Sequence, residues 1–441
     1  MSSLSAEMTT AEMTTAEMAD PPKPGRRPRR WFGFVGAGCL VAVGYTDPGN
    51  WATAIAGGAR YGYTLLSVVL LSSVMALFLQ WIAARVGLVS GQDLAQLCRA
   101  RYGRRTSLAL WLLCEVAIVA TDLAEIIGSA VALQLLFGVS LPVGVLLASA
   151  LAFAMLAIQL IGQRSLESVV AAMILFAGGC FIAQLAMANP DWHAASQGLV
   201  PRSEIIANAG LLWIACGILG ATVMPHNLYL HSNLLRTRGQ AMASRTVEHM
   251  KQALRATHWD TTLSLAFAFC LNASLLILAA AVFHHHGYAD VESLGDAHRL
   301  LSPLLGNHWA GLLFAGALLA CGLSSTITAT LAGQAVMEGF LNLRIKPWQR
   351  ALLTRSLAII PAMAVAILGG DSETTSMLVL SQVILSLQLP FAVIPLVRFA
   401  SSAGLMGQWR LSGPLQWLAW LIAGVIVTLN MVLLWQVFSG A

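Results

Sequence analysis

Apolar runs long enough to cross a bilayer follow one another along this 441-residue chain, and they leave few folds open. They lie at roughly 32–56, 64–88, 107–137, 142–162, 167–188, 207–235, 261–284, 309–337, 351–369, 373–397 and 415–438. A helix of about 20 residues spans the hydrocarbon layer. Backbone polar groups in lipid need partners inside the segment, which selects the α-helix for runs of this kind. With 57% hydrophobic and only 10% charged residues, no separate soluble domain is expected. The expected fold class is all-α integral membrane, with 11 transmembrane helices.

Residues 1–30 read as a disordered cytoplasmic leader: they carry a short Ala-Glu-Met-Thr-Thr tandem and end in a basic cluster of Lys23, Arg26, Arg27, Arg29 and Arg30. No cleavable secretion signal precedes the first span, and residues 31–441 read as a single transmembrane domain. The seven cysteines (Cys39, Cys98, Cys114, Cys180, Cys216, Cys270 and Cys321) are scattered singly, with no disulfide framework or zinc motif.

Basic residues orient the spans. With the leader inside, all of the 25 Lys and Arg but Arg60, Arg202 and Arg299 fall on the inner side. Among them are Arg99, Arg101, Arg104 and Arg105, then Arg236, Arg238, Arg245, Lys251 and Arg255, then Arg344, Lys346, Arg350 and Arg355. The outer segments hold Asp191, Glu204, Asp290, Glu292, Asp296, Asp371 and Glu373. The amino terminus is therefore expected in the cytoplasm and the carboxyl terminus outside. The basic stretch from Arg236 to His258 reads as an inner loop explained by orientation and lipid headgroups, with no nucleic acid needed.

Two of the spans are interrupted. Asp47-Pro48-Gly49-Asn50 breaks the first, and Met224-Pro225-His226-Asn227 breaks the sixth. Proline removes a backbone donor and interrupts the helix. Such breaks survive at membrane depth only where they line a buried or wet site. Breaks in corresponding positions of two halves point to a transporter's binding site. Five spans separate them, so the two halves run in opposite orientation, as in two inverted five-helix repeats. These are expected at about 31–188 and 207–397, with an extra helix at about 415–438 outside them.

The broken turns carry donors for a metal. Asp47 costs about 2.5–3.5 kcal/mol near the bilayer centre, which a bound cation or proton offsets. Asn50 offers an amide oxygen and Met224 a thioether. Hard ions such as Mg2+ and Ca2+ take all-oxygen shells, whereas sulfur favours softer transition metals. Mn2+, Fe2+ and similar ions fit this set. Packing is the competing account of Met224, since methionine fills apolar helices readily.

The two broken motifs together resemble the paired signature of the Nramp family of proton-coupled divalent-metal importers. The resemblance covers almost the whole chain after the leader. It includes Gly57-Gly58-Ala59-Arg60-Tyr61-Gly62, Ala120-Thr121-Asp122-Leu123-Ala124-Glu125, Gly322-Leu323-Ser324-Ser325 and Gln388-Leu389-Pro390-Phe391. It implies the inverted-repeat fold of the amino-acid/sodium symporters, working by alternating access. It implies Asp47, Asn50 and Met224 as metal-coordinating side chains, with the backbone carbonyls of Gly44 and Ala221 and the side chain of Gln382 joining the shell. Pro48, Gly49 and Pro225 are the helix-breaking residues. Relatives that carry magnesium or aluminium depart at the methionine, and this chain keeps Met224.

Asp122 and Glu125 lie three apart on the third span and share a face. Intramembrane carboxylates mark ion or proton routes, and burial raises their pKa values toward exchange. A structural pair holding helices together is the other account. By resemblance, Asp47 accepts the proton, Asp122 and Glu125 relay it, and Arg355 is their partner. Many bacterial members carry two adjacent arginines there, whereas this chain has Thr354-Arg355. Glu115 extends the same face inward. His226 is expected to tune pH dependence or to pack structurally, and the role of His231 is open. His284-His285-His286 reads as a solvated outer loop, with metal capture the weaker alternative.

The expected substrates and partners are therefore Mn2+, Fe2+, Cd2+ and Co2+, protons and the lipid bilayer, with no resident cofactor. A bacterial inner membrane is the expected location, and nothing in the sequence demands a dimer. A sodium-driven amino-acid carrier would favour small side chains around a carboxylate substrate over an acidic Asp47 facing Met224. An intramembrane enzyme is disfavoured, since the chain has neither His-Glu-x-x-His nor a Gly-x-Ser-x-Gly elbow nor a Gly-rich phosphate loop.

Overall fold

The computed structural model describes residues 36–158, 163–240, 246–289, 291, 293–343, 346–369 and 371–439. The leader and the charges at Arg245, Asp290, Glu292 and Arg344 lie outside the described residues. Among those described, regular structure is helical throughout.

Proline sets where the first and sixth spans divide. α1 (Ala37–Gly44) stops short of α2 (Pro48–Tyr61), which starts with Pro48 and takes Asp47 as its N-cap. Proline suits this first position because its missing N–H would have no helical partner there. A short 3-10 turn leads into α3 (Leu66–Ser90), followed by α4 (Leu94–Arg101), α5 (Arg104–Phe137), α6 (Leu141–Ile158) and α7 (Gln163–Ala188). Short helices α8 (Trp192–Gln197) and α9 (Glu204–Ala207) lead to α10 (Ala209–Val223), which gives way at Met224 to α11 (Pro225–Gln240). Then come α12 (Val247–Ala279), α13 (Leu294–Leu305), α14 (Trp309–Leu341), α15 (Pro347–Leu368), α16 (Asp371–Ala400), α17 (Ala403–Met406) and α18 (Pro414–Ser439).

A described helix lies in each of the eleven expected stretches. Among the described residues, eight helical segments are long and apolar enough to cross a membrane, and Leu141–Met155 and Leu352–Leu368 are shorter apolar helices. The basic stretch expected as a loop differs. α11 runs on to Gln240 and α12 begins at Val247, so most of its charge sits on helices that extend the sixth and seventh spans.

The broken helices occupy the middle of the bundle. α1 packs on α12, α14 and α11, while α10 packs on α16 and α3. α14 lies along α5, and α18 docks on α16 and α10. Trp51 of α2 is buried against Phe181 and Phe314, with ring centroids 4.9 and 5.2 Å away. Asp93 caps α4 in a reciprocal capping box with Gln96. Its other oxygen takes hydrogen bonds or charge from Asn233 and Arg236 of α11, which ties α4 to the sixth span.

Candidate metal site at the broken helices

A helical proline leaves the carbonyl four residues before it without a donor. Here those carbonyls belong to Gly44, before Pro48, and Ala221, before Pro225. The Gly44 oxygen takes the Asp47 N–H at 3.3 Å. The Ala221 oxygen takes the Asn50 side-chain amide at 3.1 Å, a bond that crosses from one break to the other. The same amide donates to Asp47 Oδ1 at 2.8 Å, and the Asn50 backbone N–H donates to that oxygen at 2.9 Å. Asp47 and Asn50 are both buried.

Gln382 of α16 joins this group. Its Nε2 reaches Asp47 Oδ2 at 3.4 Å and Ser381 Oγ at 2.9 Å, while its Oε1 has no hydrogen-bond partner. Gly49 makes the approach possible, because a β-carbon there would overlap the Gln382 amide. On another side, Pro48 fits against Gly128 of α5, where a β-carbon would collide with its ring.

Met224 is fully buried and holds φ at 24°, a backbone region that costs a residue with a β-carbon about 1–3 kcal/mol. Its Sδ accepts from Asn227 Nδ2 at 3.3 Å. That same nitrogen lies where a β-carbon on Gly44 would strike it, so Asn227 links the Met224 sulfur to the first break. The structure thus brings Asp47, Asn50, Ala221 and Gln382 into one hydrogen-bonded group, with Met224 and Gly44 joined through Asn227. A carboxylate, amides, carbonyls and a thioether at one pair of helix breaks are donor types that suit a divalent ion softer than Mg2+ or Ca2+.

The third-span carboxylates lie farther along α5. Asp122 and Glu125 are buried within electrostatic reach of Arg355, and Thr354 faces Asp122. Thr326 faces Glu125. Arg355 itself donates to the Thr330 hydroxyl at 3.1 Å and the Thr326 carbonyl at 3.4 Å, with its guanidinium over the Phe153 ring. The direct ion pair on this helix belongs to Glu115. Buried Arg350 donates to its two oxygens at 3.0 and 2.9 Å, and Trp111 adds a third hydrogen bond at 3.1 Å. Sequence reasoning grouped Arg350 with the inner positive charges and missed this role. An intramembrane glutamate needs a partner, and an arginine four residues before Thr354 was the available signal.

His226 is buried, with Nδ1 unpartnered. His231 is held at 2.9 Å by Gln80, which donates to the Tyr45 hydroxyl at 2.8 Å, so this histidine is anchored to the first break. In the histidine run, His284 bonds to the Ala59 carbonyl and His286 to the Val282 carbonyl. Among the described residues, no group of three or more His, Cys, Asp or Glu side chains is placed to hold a metal.

Residues 38–436 match the family profile described as natural resistance-associated macrophage protein-like. The chain belongs to the Nramp family. A divalent metal cation transporter MntH from Xanthomonas campestris pv. campestris is 53% identical over 419 residues, covering 95% of this chain and 94% of the relative. The solved structure of an Eremococcus coleocola manganese transporter covers 92% of this Nramp chain and 88% of its own, at 36% identity and TM-score 0.83. MhsT, solved with L-phenylalanine, matches at TM-score 0.60 and 15% identity over 89% of this chain and 98% of its own, a likeness of fold alone.

Proposed function

We propose that this Nramp protein imports divalent transition-metal ions, Mn2+ and Fe2+ foremost, together with protons by alternating access. The observation that carries the site is the Asn50 amide, which spans from the Asp47 carboxylate to the Ala221 carbonyl and so joins the two broken helices. An ion entering there meets the Asp47 charge, the Asn50 and Gln382 amides, the Met224 sulfur and the two carbonyls that proline leaves without helical donors. Asp47 offsets part of the ion's charge, and the dry surroundings strengthen that attraction.

Protonation of Asp47 and passage of the proton through Glu125 and Asp122 toward the Glu115–Arg350 end is the route we assign. His226 borders it. The two repeats, about residues 31–188 and 207–397, supply the two broken helices, and α18 lies outside them. With the amino terminus inside a bacterial inner membrane, each divalent ion entering gains about 4.6 kcal/mol per 100 mV of inside-negative potential. Asp47→Ala tests the site. Uptake of Mn2+ by the folded variant should vanish, and full uptake would put the site elsewhere.

A further inference from the structure

α18 has the smallest buried share of the long apolar helices, 33% of its window. Its buried residues Ala419, Ile422, Ala423, Ile426, Asn430 and Leu433 form one stripe at helical spacing, and Asn430 is the polar member. A buried amide is costly unless bonded. Asn430 Nδ2 donates to the Ile426 carbonyl at 2.9 Å, and its Oδ1 accepts from Ser386 Oγ at 3.0 Å.

Ser386 is a telling partner. It lies on α16 four residues after Gln382, on the same face. Its own carbonyl is the one that Pro390 deprives of a helical donor. α16 has two internal prolines, Pro390 and Pro395, and the first of them frees a carbonyl just beyond Gln382, where Asn430 grips the helix from another helix. α10 meets the same turn. A β-carbon on Gly220 would overlap the Gln382 carbonyl and the Ser386 amide, and the next residue, Ala221, supplies the carbonyl that Asn50 binds. Movement of this one turn would reach Asp47 through the Gln382 amide.

We propose that Asn430 is a positioning residue for the metal site, fixing through Ser386 the turn of α16 that presents Gln382 to Asp47. The last helix, outside both repeats, thereby acts on substrate affinity. This rests on Gln382 facing the metal. The test is the KM for Mn2+ uptake in proteoliposomes holding matched amounts of folded protein. Gln382→Ala and Asn430→Leu should each raise KM, the latter roughly three- to ten-fold, the scale of one buried hydrogen bond. Vmax should change by less than about two-fold. Asn430→Leu combined with Gln382→Ala should be no worse than Gln382→Ala alone. Ser386→Ala should behave like Asn430→Leu, and it carries the same test if the leucine variant fails to fold. The lipid-facing control Thr428→Val should leave KM unchanged. If Gln382→Ala leaves KM untouched, the reading of Gln382 fails. If Gln382→Ala raises KM but Asn430→Leu and Ser386→Ala do not, or their effects multiply with it, the brace is overturned.

Discussion

Replacing Arg350 by methionine removes a buried cation from beside Glu115 and leaves the carboxylate with Trp111 as its one remaining hydrogen-bond donor. The Glu115 side chain is only 15% exposed and that of Arg350 1%. Breaking a buried pair from one side costs about 3–5 kcal/mol, because the other charge stays uncompensated. Residual exposure of Glu115 and the Trp111 bond bring this case to the bottom of that range or just below it, about 2–3 kcal/mol. Replacing both partners by apolar residues is often close to neutral. Arg350→Met with Glu115→Leu should therefore regain most of the loss and lie within about 1 kcal/mol of the parent. The assay is reversible unfolding in mixed detergent–dodecyl sulfate micelles, followed by tryptophan fluorescence, for the four corners of the cycle. Glu115→Leu strands the more deeply buried Arg350 and should cost at least as much as Arg350→Met, so a coupling of about 3–5 kcal/mol is expected. Gly333→Val should be destabilising for a related reason, since a side chain there claims the space of the guanidinium. Strict additivity of the two single losses would refute the reasoning.

Met224→Ala should weaken Mn2+ and Cd2+ uptake while admitting Ca2+ or Mg2+, read in competition assays; unchanged discrimination would mean that shell size or dehydration sets selectivity. Asn50→Ala takes the donor from Ala221 and one of two local donors from Asp47. It should raise the KM for Mn2+ by roughly ten-fold or more, on the scale of a lost hydrogen bond to a charged group, and an unchanged KM would count against the bridging amide. Glu125→Gln should leave metal binding measurable by calorimetry but reduce the acidification linked to uptake, whereas full acidification would move the proton route off the third span.

The spans and the two breaks were legible because their causes are local. Apolar length dictates a membrane helix, and proline marks where a helix must divide. Asp47, Asn50 and Met224 stand within or beside those breaks, so sequence reasoning reached them directly. The capping box of Asp93 and Gln96 carried a readable signature as well, and it went unused. Other features depend on which helices meet. The pairing of Glu115 with Arg350 joins residues 235 positions apart, and Asn430 with Ser386 joins positions 44 apart. Asp260 of α12 accepts the N–H groups of Gly36 and Gly38 at the start of α1, a cap supplied by a distant helix. No local pattern encodes such partners. The basic stretch after Arg236 reads as an inner loop from its charge, whereas α11 runs on to Gln240 and α12 starts at Val247.

The most direct test of coupled metal import is uptake of Mn2+ into liposomes holding the purified protein and an internal pH dye, with voltage and outside pH varied. Saturable uptake with linked internal acidification, steepened by inside-negative voltage and lost in Asp47→Ala, is the result expected. Mn2+ entry without acidification would contradict proton coupling, and no metal flux in a folded sample would contradict the account as a whole.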